Sequence, residues 1–153
     1  MQKKTPATGW QKDAVTTARE VAGNPEEIFG AFTEPAELLS WWGGSGGLTR
    51  AHVNLRPGGE YRFDLQETAG QTGWIKGQYH SVDPGRRIFM TWFSSRHPDL
   101  RNDIEIRFEP AGDATRVTVV HSGLAGQAEA VKEYERIWSD TLDRLAAKKK
   151  GRP

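Results

Sequence analysis

The chain has 153 residues, no Cys, and 21 Lys and Arg against 20 Asp and Glu, a formal net charge of +1. The missing Cys excludes disulfides and thiolate metal sites, and the balanced charge gives no global field to attract nucleic acid or a membrane surface. The length fits one domain able to bury a sizeable core, and six Trp, six Phe and three Tyr supply large rings for a core, a pocket or both.

Met1 to Lys12 is polar, aperiodic and interrupted by Pro6 and Gly9. It is expected to be a flexible tail, with Trp10 able to dock. Asp13 to Val21 reads as the first strand. Asn24-Pro25-Glu26-Glu27 announces a helix: a capping side chain, a Pro suited to the first helical position, and two acids at the positive end. Thr33-Glu34-Pro35 ends it and starts a second short helix, with Thr33 as the expected cap, carrying Leu38, Leu39, Trp41 and Trp42. Gly43, Gly44, Gly46 and Gly47 around Ser45 predict a loop, read as a hinge or lid.

Strand signals then run to Ser122. His52, Asn54 and Arg56 alternate with Val53 and Leu55, and Pro57-Gly58-Gly59 turns the chain. Tyr61, Phe63 and Leu65 alternate with Arg62, Asp64 and Gln66, a half-buried pattern. Ala69-Gly70 is a turn, and Ile75, Gly77 and Tyr79 share one side of the next strand. Beyond Asp83-Pro84-Gly85, both sides of Ile88 to Phe93 are apolar, which predicts a central strand. Ser94 to Arg101 is expected to be a polar hairpin loop. Ile104, Ile106 and Phe108, then Val117, Val119 and His121, mark two more strands. From Gly126 to Lys150, Val131, Tyr134, Trp138, Leu142 and Leu145 recur at helical spacing, with acids early and Arg144 and Lys148–Lys150 late. A strand, two short helices, six strands with short turns and one long helix predict an α+β fold on an antiparallel sheet.

Phe32-Thr33-Glu34-Pro35, Trp41-Trp42-Gly43 and Leu55-Arg56-Pro57-Gly58-Gly59 resemble a known family signature. The likeness continues through Gly77-Gln78-Tyr79, Arg87-Ile88-Phe89-Met90-Thr91-Trp92, Thr115 to Leu124, and Trp138 with Leu142. The chain is similar to AHSA-like proteins, related to the C-terminal domain of the heat-shock-chaperone ATPase activator, in the SRPBCC (START-like, birch-pollen-allergen-like) superfamily. That resemblance implies a helix-grip fold: a curved antiparallel sheet wrapped around the long C-terminal helix, with two short helices after the first strand and a cavity for apolar ligands. The resemblance covers roughly Asp13 to Leu145, so the expectation is a single domain over residues 13–148, with the polar tail over 1–12 and a basic tail over 149–153, read from its charge as solvated. In the activator that gives the family its name, a separate N-terminal domain makes much of the chaperone contact. Only the short tail precedes the first strand here, so a chaperone is the secondary partner and a small apolar molecule the expected one.

Trp41, Trp42, Tyr61, Phe63, Tyr79, Trp92, His121 and Trp138 are the candidate cavity-lining residues. The competing reading is that they fill the core. His121 should face the helix, as a structural histidine or as the acid or base of a cavity enzyme performing proton transfer or dehydration. Arg56 and Arg62 could bind an acidic headgroup or sit on a solvated strand edge. His52, His80, His97 and His121 lack zinc-ligand spacing, and Ser94, Ser95, His97 and Asp99 match a triad in composition only. No cofactor, no metal and no catalytic residue is assigned. Without an apolar leader or a long apolar run, a cytoplasmic monomer or homodimer with no membrane span is the expectation.

Overall fold

The structure is a computed structural model that describes residues 14–42, 47–66 and 72–151. The N-terminal tail, the Ala69-Gly70 turn and most of the glycine-rich loop expected from the sequence lie outside the described residues.

The elements run β1 (Ala14–Ala22), α1 (Pro25–Thr33), α2 (Pro35–Trp41), β2 (Leu48–Val53), β3 (Glu60–Gln66), β4 (Thr72–Asp83), β5 (Arg87–Ser94), β6 (His97–Ala111), β7 (Ala114–Ser122) and α3 (Ala128–Lys150). All seven strands form one curved antiparallel sheet in the order β1-β7-β6-β5-β4-β3-β2. β5 is its middle strand, as its two apolar faces require. The long C-terminal helix and the paired short helices complete the expected α+β helix-grip arrangement.

Local chemistry explains the short helices. The Asn24 side chain accepts from the Glu27 N–H at 2.8 Å, a cap worth about 1 kcal/mol. Thr33 is not the cap of α2. It is the last residue of α1, buried, and its hydroxyl donates back to the Phe29 carbonyl at 3.1 Å, while Glu34 occupies the cap position with no side-chain cap bond. A β-hydroxyl can satisfy itself on the preceding turn, and Pro35 then forces the break that the sequence announces.

The C-terminal helix buries Ala130, Tyr134, Trp138, Thr141, Leu142, Leu145 and Lys149. Ala130 takes the buried place expected of Val131, which is half-buried. The solvated basic tail expected at 149–153 fails at Lys149, which is 4% exposed. Its Nζ lies 3.4 Å from Glu37 Oε1 on α2 and 3.6 Å from Glu27 Oε2 on α1. The helix also lies along β1, where the Arg19 guanidinium donates to Asp143 and Ser139, both at 2.8 Å.

The stretch from Ser94 to Arg101 is not a loop. β5 and β6 continue through it, with Ser94 opposite His97 and only Ser95 and Arg96 turning. A register irregularity between Trp92 and Ser94 absorbs the extra residues. Ser95 Oγ accepts from the Trp74 N–H at 3.0 Å, and Arg96 pairs with Glu133 on α3. Backbone pairing and the helix contact hold a polar sequence extended.

Gly77 shapes the sheet where β3, β4 and β5 meet. A Cβ there would lie 2.2 Å from the Thr91 carbonyl oxygen, so only glycine permits this approach. Tyr61 stands directly opposite Gly77, and its hydroxyl donates to that carbonyl at 2.7 Å. The ring thus covers the strand position that lacks a side chain.

Candidate ligand-binding site between sheet and helix

Alternation sets the inner surface. Tyr61 and Phe63 of β3, Tyr79 of β4, Trp92 of β5 and His121 of β7 are all buried on the sheet face that α3 covers with Trp138. Trp41 and Trp42 reach the same interior from the end of α2 and are 4% and 6% exposed. All eight candidate residues therefore lie in one core.

Trp42 is the meeting point of that core. Its ring centroid is 5.2 Å from Phe63, 5.3 Å from Trp41, 5.4 Å from Trp138, 6.3 Å from Trp92 and 6.4 Å from Phe32. Three of these contacts are edge-to-face, the geometry that ring quadrupoles favour, worth about 0.5–1.5 kcal/mol each beyond the buried area. A second chain of rings runs from Phe63 to Tyr61 at 5.2 Å and on to Tyr79 at 5.4 Å.

Most polar edges inside this core are matched. The Trp41 indole N–H donates to the Ala31 carbonyl at 3.0 Å, and that of Trp92 to the Tyr134 hydroxyl at 3.2 Å. The Trp138 N–H donates to His121 Nδ1 at 3.0 Å. An indole nitrogen can only donate, so Nδ1 is the acceptor and the His121 proton sits on Nε2, which donates to Asn102 Oδ1 at 2.8 Å. Asn102 in turn donates to the Gly123 carbonyl at 3.3 Å, and the Tyr134 ring lies 4.0 Å from the imidazole. Burial pulls the His121 pKa down to about 3. The imidazole is neutral near pH 7 with both nitrogens engaged, an arrangement that orients rings and does not suit proton transfer.

Two buried ring groups are not matched among the described residues, nor is the buried Thr141 hydroxyl of α3. Among the described residues, neither the Trp42 indole N–H nor the Tyr79 hydroxyl has a hydrogen-bond partner, although Tyr79 is only 2% exposed. Burial also holds the Tyr79 hydroxyl well above the usual tyrosine range, so it is a neutral donor. Leaving such a group unpaired costs about 1–3 kcal/mol, a cost structural residues ordinarily avoid.

The family model for Activator of Hsp90 ATPase homolog 1-like proteins (AHSA1) matches residues 22–148. The chain belongs to that family. Among curated proteins none matches this AHSA1-like chain. Solved structures share its fold. Protein CV1439 from Chromobacterium violaceum superposes with a TM-score of 0.81 at 22% identity, covering 92% of this chain and 99% of its own. The AHSA1 protein SPO3351 from Silicibacter pomeroyi gives 0.76 at 26% identity over 88% and 96%. DynU16, from the dynemicin biosynthetic locus, gives 0.75 at 20% identity over 91% of this chain and 48% of its own.

Sequence reasoning placed Tyr134 on the buried stripe but did not include it, or Asn102, among the site residues of this AHSA1-like chain. Tyr134 was legible as the stripe residue one turn before Trp138. Asn102 was not, because its meeting with His121 depends on the β6–β7 register, in which Ile104 faces His121. Of the two arginines beside the Pro-Gly-Gly turn, Arg62 lies on the outer sheet face, bonded to Asp64 at 3.0 Å, and Arg56 lies exposed in the turn between β2 and β3. The Ser, His and Asp residues near the β5–β6 turn form no triad: Ser94 and His97 are ladder partners. Among the described residues no helix is long and apolar enough to cross a membrane.

Proposed function

We propose that the protein binds a small hydrophobic or aromatic molecule between the sheet and the C-terminal helix, at the aromatic cluster centred on Trp42. The unmatched Trp42 N–H and Tyr79 hydroxyl carry this reading. They lie at the two ends of the ring path Trp42–Phe63–Tyr61–Tyr79, so a ring ligand bearing one or two acceptors would gain stacking area and the hydrogen bonds this core lacks. Membership of a family with this sheet-and-helix architecture supports the same class of ligand. The Trp42 ring occupies the centre of the cluster, so binding requires it to shift against its neighbours.

Fluorescence titration with phenylnaphthylamine, an uncharged apolar probe, tests the proposal. Saturable enhancement is expected with the native chain. Trp42→Ala removes the central ring and should tighten binding about tenfold, as space lined by apolar groups takes up apolar guests. Trp42→Leu serves as the milder replacement if Trp42→Ala fails to fold. Absence of saturable binding by both the native chain and a folded Trp42 variant would overturn the reading.

A further inference from the structure

The outer face of the sheet, turned away from the helix, holds a cleft of about 680 Å³. Strand register builds it in rows. His52 of β2 stands opposite Arg62 of β3, Arg62 opposite Lys76 of β4, and Lys76 opposite Phe93 of β5. The neighbouring row is Arg50, Asp64 and Trp74. The cations Arg62 and Lys76 thus stand directly opposite one another, although like charges so placed weaken a sheet. Two carboxylates line the cleft: Asp64 pairs with Arg62 at 3.0 Å, and Glu60 stands one row further along β3. Among the described residues neither Arg50 nor Lys76 has an acidic partner. Lys76 Nζ lies 4.8 Å from the centre of the Trp74 ring and the Arg62 guanidinium 5.6 Å from it, so the indole holds both cations in place. Half-buried Phe93 supplies an apolar wall at the end of the row.

From this geometry we infer a second binding site on the outer sheet face, for a small aromatic anion such as an aryl carboxylate or sulfonate. Its anionic group would sit on Lys76 and Arg50 and its ring against Phe93. The cleft volume falls in the range of small-molecule sites. Lys76, held by the indole, loses little freedom on binding, which favours affinity. Tyr61 borders both this cleft and the interior ring path, but Arg50, Lys76 and Phe93 lie on the opposite sheet face from that path.

Naphthalenesulfonate, with uncharged naphthol as its control, tests the inference by heteronuclear NMR titration of the full chain. The sulfonate is expected to shift amide signals across residues 50–53, 60–64, 76–78 and 91–93, saturably. Naphthol should bind there about tenfold more weakly. Lys76→Gln and Arg50→Gln, both at exposed positions, should each weaken the sulfonate several-fold without changing the melting temperature. Raising salt should weaken it further. Trp42→Leu should leave it unchanged, so the result does not depend on the interior site. Shifts centred on Trp42, Trp92 and Trp138, or affinity indifferent to both glutamine variants, would overturn the inference. So would Lys76-dependent binding to anionic phospholipid vesicles without any binding of the sulfonate.

Discussion

His121 shows how a titratable residue can be made inert by its surroundings. The sequence places it on the helix-facing side of a strand with no carboxylate nearby, and both features hold in the structure. Those facts point first to a structural histidine and leave an acid–base role as the alternative. Two neutral partners, Trp138 and Asn102, and complete burial favour the structural role. The consequence is a pH dependence of stability. In the unfolded chain this imidazole titrates near 6.5, whereas in the fold it titrates near 3. Between those values the unfolded state binds the extra proton, so the contribution is fully present above the unfolded pKa and is lost as pH falls toward the folded one. Each pH unit of descent within that window should cost about 1.4 kcal/mol. Urea unfolding from neutral pH down to about pH 5 should show this slope in the native chain and a flatter one in His121→Gln. Equal slopes would mean that His121 charges inside the fold.

The C-terminal helix was the most legible element, because its apolar stripe repeats over many turns. Its last turn was misread for a physical reason. A run of lysines looks solvated until another element brings carboxylates to it, and Glu27 and Glu37 come from helices that precede it by a hundred residues or more in the chain. The Lys149 stem packs at the base of the core, and its ammonium ties α3 to α1 and α2 at once. Lys149→Ala should therefore destabilise the fold by about 1–2 kcal/mol, through lost packing of its buried stem and loss of its ties to α1 and α2. Lys150→Ala, at an exposed position, should fall within about 0.5 kcal/mol of the native chain. Denaturant titration of the two variants separates a structural anchor from a solvated tail. The hairpin between β5 and β6 teaches the same lesson. Polar composition suggested a loop, but pairing with neighbouring strands made it a ladder.

Across the whole molecule, the succession of strands along the chain and the two short helices could be read in advance, because hydrophobic alternation and Pro-Gly turns are local signals, whereas the pairing of β1 with β7 could not. Parity placed Tyr61, and with it Phe63, on one face for the same reason, whereas the two apolar faces around Trp92 left its side open. The outer row of His52, Arg62 and Lys76 could not be read, since it exists only once three registers are set together. Nor could the centrality of Trp42, which depends on where α2 ends relative to the sheet. That centrality has an optical consequence. Trp42, Trp92 and Trp138 form a triangle of indoles with centroids 5.4, 5.6 and 6.3 Å apart and rings mutually tilted. Chromophores this close and this fixed share their excited states, so the native protein should give an intense near-ultraviolet circular dichroism band. Trp42→Phe should diminish that band strongly while the far-ultraviolet signal of helix and sheet persists. The same band would register any ligand that moves the Trp42 ring, which makes this protein its own reporter of binding.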